Sequence, residues 1–365
     1  MIVTAVTTWF PTRQSPSRGA FVVRDLHAIQ KHADVRLIHL VPPHDDDGTR
    51  RLVHEGIEVL RIPFSPSHPH GWLRAIRVLN RALSGSDVVH SMAFSSLLAL
   101  APARLEMPWL HTEHWSALTT PDTLPGPIRS GLPILTQLLR LPDRVSAVCN
   151  FLARPIRDVR RDRPVDVVPC IVEPGNLVPR RSRRDGALRL ISTGGLIERK
   201  DPLIAVDTVA HLVDAGYDVT LEWLGDGPLK EATRAHAVDL GVSERVILAG
   251  SQPSHKVRER LGAADLFFGP TRADNFFVSA AEALIAGRPV VVGATGGQGE
   301  YIDPGVGALV PRQDPAAYAS AILDVDARTR ALSSDEIASV IGDRFSSERV
   351  GREYANLYEQ LLANQ

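Results

Sequence analysis

The chain has 365 residues, a formal net charge of −1, 44% hydrophobic residues and 23% charged residues. This composition is typical of a folded protein of two or three domains, and its charge balance does not favour nucleic acid as a partner. The two cysteines form neither a disulfide framework nor a zinc-ligand pattern, and no apolar run of roughly 18 residues predicts a transmembrane helix.

The first half of the chain alternates short apolar runs with helical segments, the pattern of a doubly wound α/β domain. Ile2–Thr7 is predicted to be the first strand, and a loop ending at Gly19 leads into a helix over 21–31. A single glycine is weak evidence, so Gly19 either lets the backbone approach a ligand or forms a plain turn. The later predicted elements of this half are strands at 35–40, 57–62, 88–90, 109–111, 145–148 and 165–168 and helices at 72–83 and 95–104.

Polar residues follow one of these strands. His114 comes after the run 109–111, and open α/β sheets bind ligands at the carboxyl ends of their strands. By chemistry alone, a structural histidine is the more ordinary interpretation. His111 and His114 are three residues apart, but no third metal ligand is evident nearby, so no metal site is predicted. The aspartate triplet 45–47 lies in a loop and is predicted to be solvated.

Two basic amphipathic stretches allow two interpretations. Residues 72–83 place three arginines against leucine, isoleucine and tryptophan, and residues 127–144 are apolar with three arginines around them. Such segments either lie on an anionic membrane surface or are solvated helices packed on their own core.

Residues 174–186 contain two prolines, two glycines and four arginines, which predicts a solvated connector between domains. A second α/β unit then begins with a strand at 188–192. Between this strand and a helix over 202–215 lies a loop that contains Gly194, Gly195 and Lys200. A diphosphate requires backbone N–H groups and a fixed cation near a helix N-terminus, so this loop is a candidate phosphate site. Otherwise, Lys200 is a solvated loop lysine. The next predicted strands are 219–224 and 246–250.

The strongest pattern lies in residues 262–301. A strand at 264–269 leads through a polar loop to a short helix, a strand at 288–293 and then a Gly-Gly loop. Glu282 falls inside the apolar stripe of that helix, where a carboxylate is costly unless it is hydrogen-bonded. Glu282 is therefore either a poorly placed or ion-paired acid, or an acid that awaits a hydroxylated ligand.

This stretch resembles the E-x7-E region of the retaining, nucleotide-sugar-dependent glycosyltransferases of family 4. The matching residues are Pro270, Thr271, Asp274, Asn275, Phe276, Glu282, Ala283, Leu284, Gly287, Pro289, Val290, Val291, Gly296, Gly297 and Glu300. Asp274 stands where the family has its first glutamate. Gly195 stands where the family has a diphosphate-binding arginine. Either Arg199 or Arg272 replaces that arginine from a different backbone position, or stabilisation of the leaving group is weaker.

The resemblance implies the GT-B fold, an α/β architecture of two Rossmann-like doubly wound domains that face a central cleft. The expected domains are an acceptor-side domain over 1–173 and a nucleotide-sugar-binding domain over 187–344. A final helix within 345–363 is expected to cross back to the first domain.

The resemblance also implies metal-independent transfer from a UDP- or GDP-sugar to a hydroxyl acceptor, with no separate cofactor. Glu282 is expected to accept ribose hydroxyls, and Asp274 is expected to hold the sugar hydroxyls. Lys200 would neutralise the departing diphosphate, and His114 would orient the sugar from the first domain. The remaining donor-binding candidates are Gly19, Gly194, Gly195, Asn275, Phe276, Phe277, Gly296 and Gly297.

The acceptor is expected to be a cell-envelope glycan or lipid, or the core of a secondary metabolite. The protein is expected to be bacterial and cytoplasmic. If it contacts lipid, it is expected to lie peripherally at the inner face of the membrane. Two alternatives stay open: a degenerate, non-catalytic GT-B protein, and a nucleotide-sugar epimerase of the same architecture. A dinucleotide-dependent oxidoreductase is not favoured, because residues 2–19 lack the G-x-G-x-x-G pattern.

Overall fold

The computed structural model describes residues 1–16, 18–65, 69–103, 105–181 and 186–364. The chain divides into two compact units. The first consists of Met1–Ile171 with Phe345–Gln365, and the second of Val172–Arg344. None of the helices in the described ranges is long and apolar enough to span a bilayer.

Two parallel sheets form the centres of the units. The strands are β1 (Ile2–Thr7), β2 (Asp34–Val41), β3 (Arg51–His54), β4 (Ile57–Pro63), β5 (Val88–Met92), β6 (Trp109–Glu113), β7 (Arg144–Ala147), β8 (Val165–Val167), β9 (Leu188–Thr193), β10 (Val219–Leu224), β11 (Val246–Gly250), β12 (Leu266–Gly269), β13 (Val290–Gly293) and β14 (Gly307–Val310). The strands β12 and β13 are fully buried apolar runs, as expected for strands covered by helices on both faces, whereas most of the other strands contain polar residues.

Helices cover the sheets and connect their strands. They are α1 (Ala20–Gln30), α2 (Pro69–Leu83), α3 (Ser95–Leu100), α4 (Gly126–Leu135), α5 (Asn150–Arg160), α6 (Pro202–Asp214), α7 (Lys230–Asp239), α8 (Ser254–Ala263), α9 (Val278–Ile285), α10 (Pro315–Thr329), α11 (Ser334–Ser339) and α12 (Ser347–Ala363). The predicted helix over 95–104 ends early, at Leu100, and its last residue, 104, lies outside the described residues. Helix α5 was not predicted, because Pro155 and several arginines obscure its apolar stripe.

In the described residues of the first unit, the strand order is β3-β4-β2-β1-β5-β6-β7-β8. All neighbouring strands are parallel except β3 and β4. The sequence analysis missed β3. It forms a hairpin with β4 through Glu55 and Gly56, whose φ angles of 48° and 83° suit a two-residue turn.

The closing helix α12 belongs to the first unit. Val350, Tyr354, Leu357, Tyr358 and Leu361 from one of its faces join the core that contains β1, β2 and α1. Gly351 permits close contact with α1, because a Cβ there would lie 2.5 Å from the carbonyl oxygen of Ala28. This packing is the return of the final helix to the first domain that the GT-B resemblance implied.

In the described residues of the second unit, the parallel order is β11-β10-β9-β12-β13-β14. The direction in which the chain adds strands reverses between β9 and β12. In the first unit, it reverses between β1 and β5. Ligands of open α/β sheets bind at such switch points, beyond the carboxyl ends of the strands, so each unit has one edge position where a site is expected.

The connector is not simply solvated, as the sequence had suggested. The carbonyl oxygen of Val178 accepts hydrogen bonds from Arg288 Nη2 at 2.9 Å and from Ser334 Oγ at 2.7 Å. Arg180 also donates to the carbonyl of Leu332. The described residues from 172 to 181 therefore belong to the second unit, whereas residues 182–185 of the expected connector lie outside the described residues.

Candidate active site

Two cations and one carboxylate meet at the switch point of the second unit. Lys200 Nζ lies 2.7 Å from Asp274 Oδ2, and Arg199 Nη1 lies 2.6 Å from the same oxygen. Lys200 follows β9, and Asp274 follows its neighbour β12. The structure therefore brings together two of the predicted site residues and adds Arg199 to them.

Unusual backbone conformations place these side chains. A 3-10 turn over Glu198–Lys200 ends at Asp201, which is left-handed with a φ of 51°. The Lys200 stem lies against Gly194, where a Cβ would be 3.5 Å from Lys200 Cε. The Lys200 ammonium lies 3.8 Å from the centre of the Phe277 ring, a cation–π contact. Gly194 and Phe277 thus hold the lysine from two sides.

The loop after β12 is held by its own backbone. Phe277 is left-handed with a φ of 58°, and its N–H donates to Asp274 Oδ1 at 3.1 Å. Gly269 leaves room for this ring, because a Cβ there would lie 2.6 Å from Phe277 Cζ. Asp274 Oδ2 therefore contacts the two cations, Lys200 and Arg199, and its Oδ1 accepts a hydrogen bond from one backbone N–H.

The Gly-Gly loop lies against Asp274. A Cβ on Gly296 would come within 2.0 Å of the Asp274 carbonyl oxygen, so only glycine fits this approach. The Gly297 N–H donates to the carbonyls of Asp274 and Asn275 at 3.2 and 2.8 Å. In the described conformation this N–H is therefore already donated within the protein, and the contact of Gly296 and Gly297 with a donor stays a prediction.

The electrostatics favour a charged cluster. Burial would raise the pKa of Asp274, but the nearby Lys200 and Arg199 lower it to about 2. Burial lowers the pKa of Lys200, and the opposing attraction of Asp274 is offset in part by Arg199. Two cations therefore share one carboxylate, so the cluster has an excess of positive charge to offer an anion.

This pairing predicts a pH-dependent stability. Asp274 has a folded pKa of about 2, below its ordinary 3.8, so its contribution is complete above pH ~4 and is lost as the pH falls towards 2. Asp274→Asn is expected to destabilise the second unit by ~2 kcal/mol at neutral pH, with the difference shrinking below pH 4. Urea unfolding from pH 7 to pH 3 measures this. Asp239→Asn, at an exposed position at the end of α7, is the control, and a difference for Asp274→Asn that does not change with pH would contradict the assignment.

Arg199, rather than Arg272, lies beside Lys200. Arg272 Nε instead donates to Asp201 Oδ2 at 2.8 Å, and its side chain is 52% exposed. A Cβ at Gly195 would make only ordinary contacts, 3.5 Å from Asp226 O and 3.6 Å from Ile197 Cγ2, so the position has room for a side chain.

These contacts predict which arginine matters for turnover. Arg199→Ala is expected to slow turnover at least about tenfold, since it removes one of two cations, whereas Arg272→Ala is expected to change it less than about twofold. Adding Gly195→Arg to the Arg199→Ala variant is expected to restore part of the loss. Steady-state kinetics of the three variants decide this, and equal effects of the two alanine variants would show that Arg199 has no special role.

The remaining predicted residues of this unit lie on or beside α9. Glu282 is half-buried in the middle of the helix. Asn275 and Phe276 are buried, and the Phe276 ring lies 5.3 Å from the ring of Tyr301. The Tyr301 hydroxyl donates to the Phe277 carbonyl at 2.7 Å. Sequence reasoning did not select Tyr301, which holds the loop that presents these residues.

The first unit contains the other two predicted residues. Gly19 caps α1 with a φ of 70°, and a Cβ there would lie 2.3 Å from the Trp9 carbonyl oxygen. Its small size therefore serves a close approach to Trp9. The His114 ring lies 4.5 Å from that of Phe21, and its Nε2 lies 3.9 Å from Asp25 Oδ2. Burial lowers the pKa of His114 to about 4 despite the nearby Glu113, so the imidazole is uncharged at neutral pH.

Glu113 is a functional candidate that sequence reasoning missed. It is fully buried at the end of β6, and its Oε1 accepts hydrogen bonds from the N–H groups of His114 and Trp115, both at 2.8 Å. Its Oε2 lies 3.1 Å from His111 Nε2. His111 therefore contacts this carboxylate directly. Its Nδ1 in turn lies 2.8 Å from Ser91 Oγ. This buried chain fixes the backbone that presents His114.

The aspartate triplet is also not simply solvated. Asp45 is buried and forms an ion pair with Arg18, and Asp47 pairs with the buried Arg61 at 3.0 Å. The expectation of a solvated loop was therefore wrong for Asp45. Among the described residues, no group of three or more His, Cys, Asp or Glu side chains is placed to hold a metal ion.

Family comparisons identify the class of protein. The model described as "Glycosyl transferases group 1" matches residues 187–326, and that described as "Glycosyl transferase 4-like domain" matches residues 19–170. Together they match most of the chain, one in each unit. The chain belongs to the GT4-type glycosyltransferases and has the GT-B fold.

Two curated relatives illustrate the range of the family. The chain is 28% identical to 2-deoxystreptamine glucosyltransferase of Streptomyces kanamyceticus over 208 residues, which are 52% of this chain and 54% of that protein. It is 28% identical to D-inositol 3-phosphate glycosyltransferase 1 of Catenulispora acidiphila over 327 residues, 79% of this chain and 78% of that one. The match to the first relative thus spans about half its length.

Solved structures share the fold at low identity. Sucrose-phosphate synthase from Thermosynechococcus elongatus superposes with a TM-score of 0.81 and 18% identity, covering 100% of both chains. Anabaena Alr3699/HepE in complex with UDP and glucose gives a TM-score of 0.76 and 17% identity, covering 98% of this chain and 99% of that one.

Proposed function

We propose that this protein transfers a sugar from a nucleoside diphosphate sugar to a hydroxyl acceptor, with retention of the anomeric configuration and without a metal ion. The observation that carries the proposal is the convergence of Lys200 and Arg199 on one oxygen of Asp274 at the switch point of the second unit. A diphosphate brings several negative charges and competes with the single carboxylate for both cations.

The proposed chemistry needs charge stabilisation where the donor splits. The bond between the anomeric carbon and the diphosphate oxygen breaks, and the acceptor oxygen bonds to that carbon on the same face. The hydroxyl proton leaves with the nucleoside diphosphate, so the products are the glycoside and the free diphosphate. A preformed cation pair stabilises the negative charge that builds on the leaving oxygen.

Different residues are proposed to bind different parts of the donor. Glu282 accepts the ribose hydroxyls, and Asp274 with the backbone near Phe276 holds the sugar hydroxyls. Lys200 and Arg199 bind the diphosphate. His114, uncharged because of burial, contacts the sugar as a neutral hydrogen-bonding group. UDP and GDP are the proposed nucleotides, and the complex of Alr3699/HepE with UDP-glucose makes UDP-glucose the first donor to test.

A donor panel tests the proposal. The full chain is incubated with uridine, guanosine, adenosine and thymidine diphosphate sugars, and thermal stabilisation and slow diphosphate release are recorded with and without EDTA. We expect one donor to raise the melting temperature and to release diphosphate at the same rate in EDTA. Donor binding without release of diphosphate, even in the presence of every acceptor tested, would favour a non-catalytic protein. Conversion of the donor to an epimer would favour an epimerase, and loss of release in EDTA would overturn metal independence.

We also propose peripheral membrane contact through the first unit. The side chains of α4 are not buried, and Ile128 and Ile134 are 46% and 78% exposed. On α2, Leu73 and Val78 are 56% and 41% exposed, among the exposed arginines Arg74, Arg77 and Arg81. Exposed apolar side chains beside arginines suit an anionic lipid surface.

Vesicle binding measures this contact. Sedimentation with phosphatidylglycerol vesicles is expected to exceed that with phosphatidylcholine vesicles, and Ile134→Glu is expected to lower it at least about threefold. Val238→Glu replaces a residue on the second unit that is 61% exposed, and it serves as the control. Equal sedimentation of Ile134→Glu and the parent chain would remove α4 from the proposal.

A further inference from the structure

The first unit contains a pocket of about 600 Å³ at the carboxyl edge of its sheet. It opens where β1, β2, β5 and β6 end, which includes the switch point of this sheet. Its volume is in the range of pockets that bury a drug-sized molecule. The lining residues are Thr8, Trp9, Arg18, Phe21, Leu40, Pro42, His44, Phe64, Ala93, Phe94, Ser95, Leu98, His114, Trp115, Ser116 and Leu135.

Aromatic rings supply much of the wall. The Trp9 and Phe21 rings are 6.4 Å apart, and the Phe21 ring lies 4.5 Å from the His114 ring. A second pair, Phe94 and Trp115, has its centres 4.8 Å apart. Trp9 remains 42% exposed although it lies in this pocket. Aromatic walls of this kind favour a flat apolar partner through ring contacts and area burial.

The polar groups of the pocket do not suit a polyol. Among the lining residues that the structure describes, none is Asp, Glu, Asn or Gln, the side chains that offer planar acceptors to several hydroxyls. The nearby Asp45 lies outside the lining, where it accepts from Ser15 Oγ at 2.8 Å and pairs with Arg18. The Thr8 and Ser95 hydroxyls are hydrogen-bonded to each other. A sugar or cyclitol would lose its hydration here without enough replacement bonds.

The charges also limit the ligand. The ionisable side chains of the lining are Arg18, His44 and His114, all of them bases. The Arg18 guanidinium lies 4.8 Å from the centre of the Trp9 ring. Within the described part of the lining there is no carboxylate to bind an ammonium group, so this lining suits a neutral or anionic ligand and not a polyamine.

From these observations, we infer that the pocket binds the acceptor, and that this acceptor is a hydroxylated aromatic or fused-ring compound, neutral or anionic. The inference rests on the proposed function, because His114, the residue proposed to contact the donor sugar, forms part of the pocket wall. A ring bound in this pocket would place its hydroxyl group in the same pocket as the His114 imidazole. The ring body provides the binding energy, and the hydroxyl is the group that receives the sugar.

Calorimetric titration of the full chain tests this class. The probes are 2-naphthol and 1-hydroxy-2-naphthoate, compared with myo-inositol and the linear alcohol 1-decanol. We expect both ring probes to bind at least tenfold more tightly than either comparator. Trp9→Ala and the pocket-filling Leu98→Trp are expected to weaken ring binding at least tenfold. Tyr217→Ala removes an aromatic side chain of similar exposure, 48%, from the second unit and is expected to leave ring binding unchanged.

Several results would overturn the inference. Preferential binding of myo-inositol would assign the pocket to a polyol, and preferential binding of 1-decanol would assign it to an alkyl chain. Ring binding that survives both Trp9→Ala and Leu98→Trp would place the ring elsewhere, and no ring binding would reject the class. The donor panel on the unsubstituted chain tests the proposed function separately. Ring binding with no donor binding would refute the transferase proposal, whereas donor turnover with no ring binding would refute only the acceptor class.

Discussion

Replacing Lys200 with alanine is expected to lower turnover about 10²–10³-fold, the range measured when one preorganised donor to a developing negative charge is removed. The Lys200 side chain is 11% exposed, and its ammonium contacts both the Asp274 carboxylate and the Phe277 ring. It is therefore held in place before the reaction. A mobile surface lysine would have to lose conformational freedom in the transition state, and its removal would cost less.

The fold is expected to survive this change, because Arg199 still pairs with Asp274 after Lys200 is removed. Lys200→Met keeps most of the stem that packs on Gly194 and separates loss of charge from loss of packing. Lys256→Ala breaks an exposed pair with Glu259 and is the matched control. The maximal rate of diphosphate release should fall in both Lys200 variants and not in the control. A Lys200→Met variant with the parent rate would show that the ammonium has no part in leaving-group stabilisation.

Much of the fold could be predicted because its strands are simple. Ile2–Thr7 and Val219–Leu224 agree with their predicted bounds, since β-branched and apolar residues predominate in both strands and a polar or glycine residue follows each of them. The short edge strand β3 (Arg51–His54) was missed because it is half-exposed and contains charged residues. The helix over Asn150–Arg160 was missed because proline is expected to interrupt a helix, although Pro155 lies within its second turn.

The site could be predicted only in part. Lys200 and Asp274 are far apart in sequence and meet because β9 and β12 are neighbours, and the resemblance to a family supplied that adjacency. The ion pair of Arg199 with Asp274 could not be predicted, because it depends on the left-handed turn at Asp201. Left-handed backbone at a non-glycine residue has no clear sequence signal. The same applies to Phe277, whose conformation directs its N–H to Asp274.

The buried acid in the first unit shows a different difficulty. Glu113 follows an apolar run, and sequence reasoning singled out the neighbouring His114 as the candidate ligand. The structure shows that Glu113 is buried to accept the N–H groups of the next two residues. A carboxylate that organises backbone cannot be distinguished from one that binds a ligand until the loop conformation is known, because both satisfy the same acceptor oxygens.

Replacing Glu282 with alanine is expected to weaken nucleotide-sugar binding roughly 100-fold or to abolish it, since two hydrogen bonds to a charged acceptor contribute about 3 kcal/mol or more together. Glu282 is half-buried in the middle of α9, so alanine keeps the helix and improves its intrinsic propensity. Glu282→Gln retains one acceptor oxygen and is expected to lose less affinity.

Titrating the free nucleoside diphosphate beside the nucleotide sugar shows which part of the donor Glu282 binds. If it accepts the ribose hydroxyls, calorimetry should show the same loss for the free nucleoside diphosphate as for the nucleotide sugar. A loss confined to the nucleotide sugar would instead move Glu282 to the sugar and leave the ribose to another residue. Glu231→Ala, whose side chain is 76% exposed on α7, controls for removal of an acid from this unit. Unchanged affinity of Glu282→Ala for both ligands would exclude Glu282 from the proposed donor site, and the proposal would then rest on the cation cluster around Asp274.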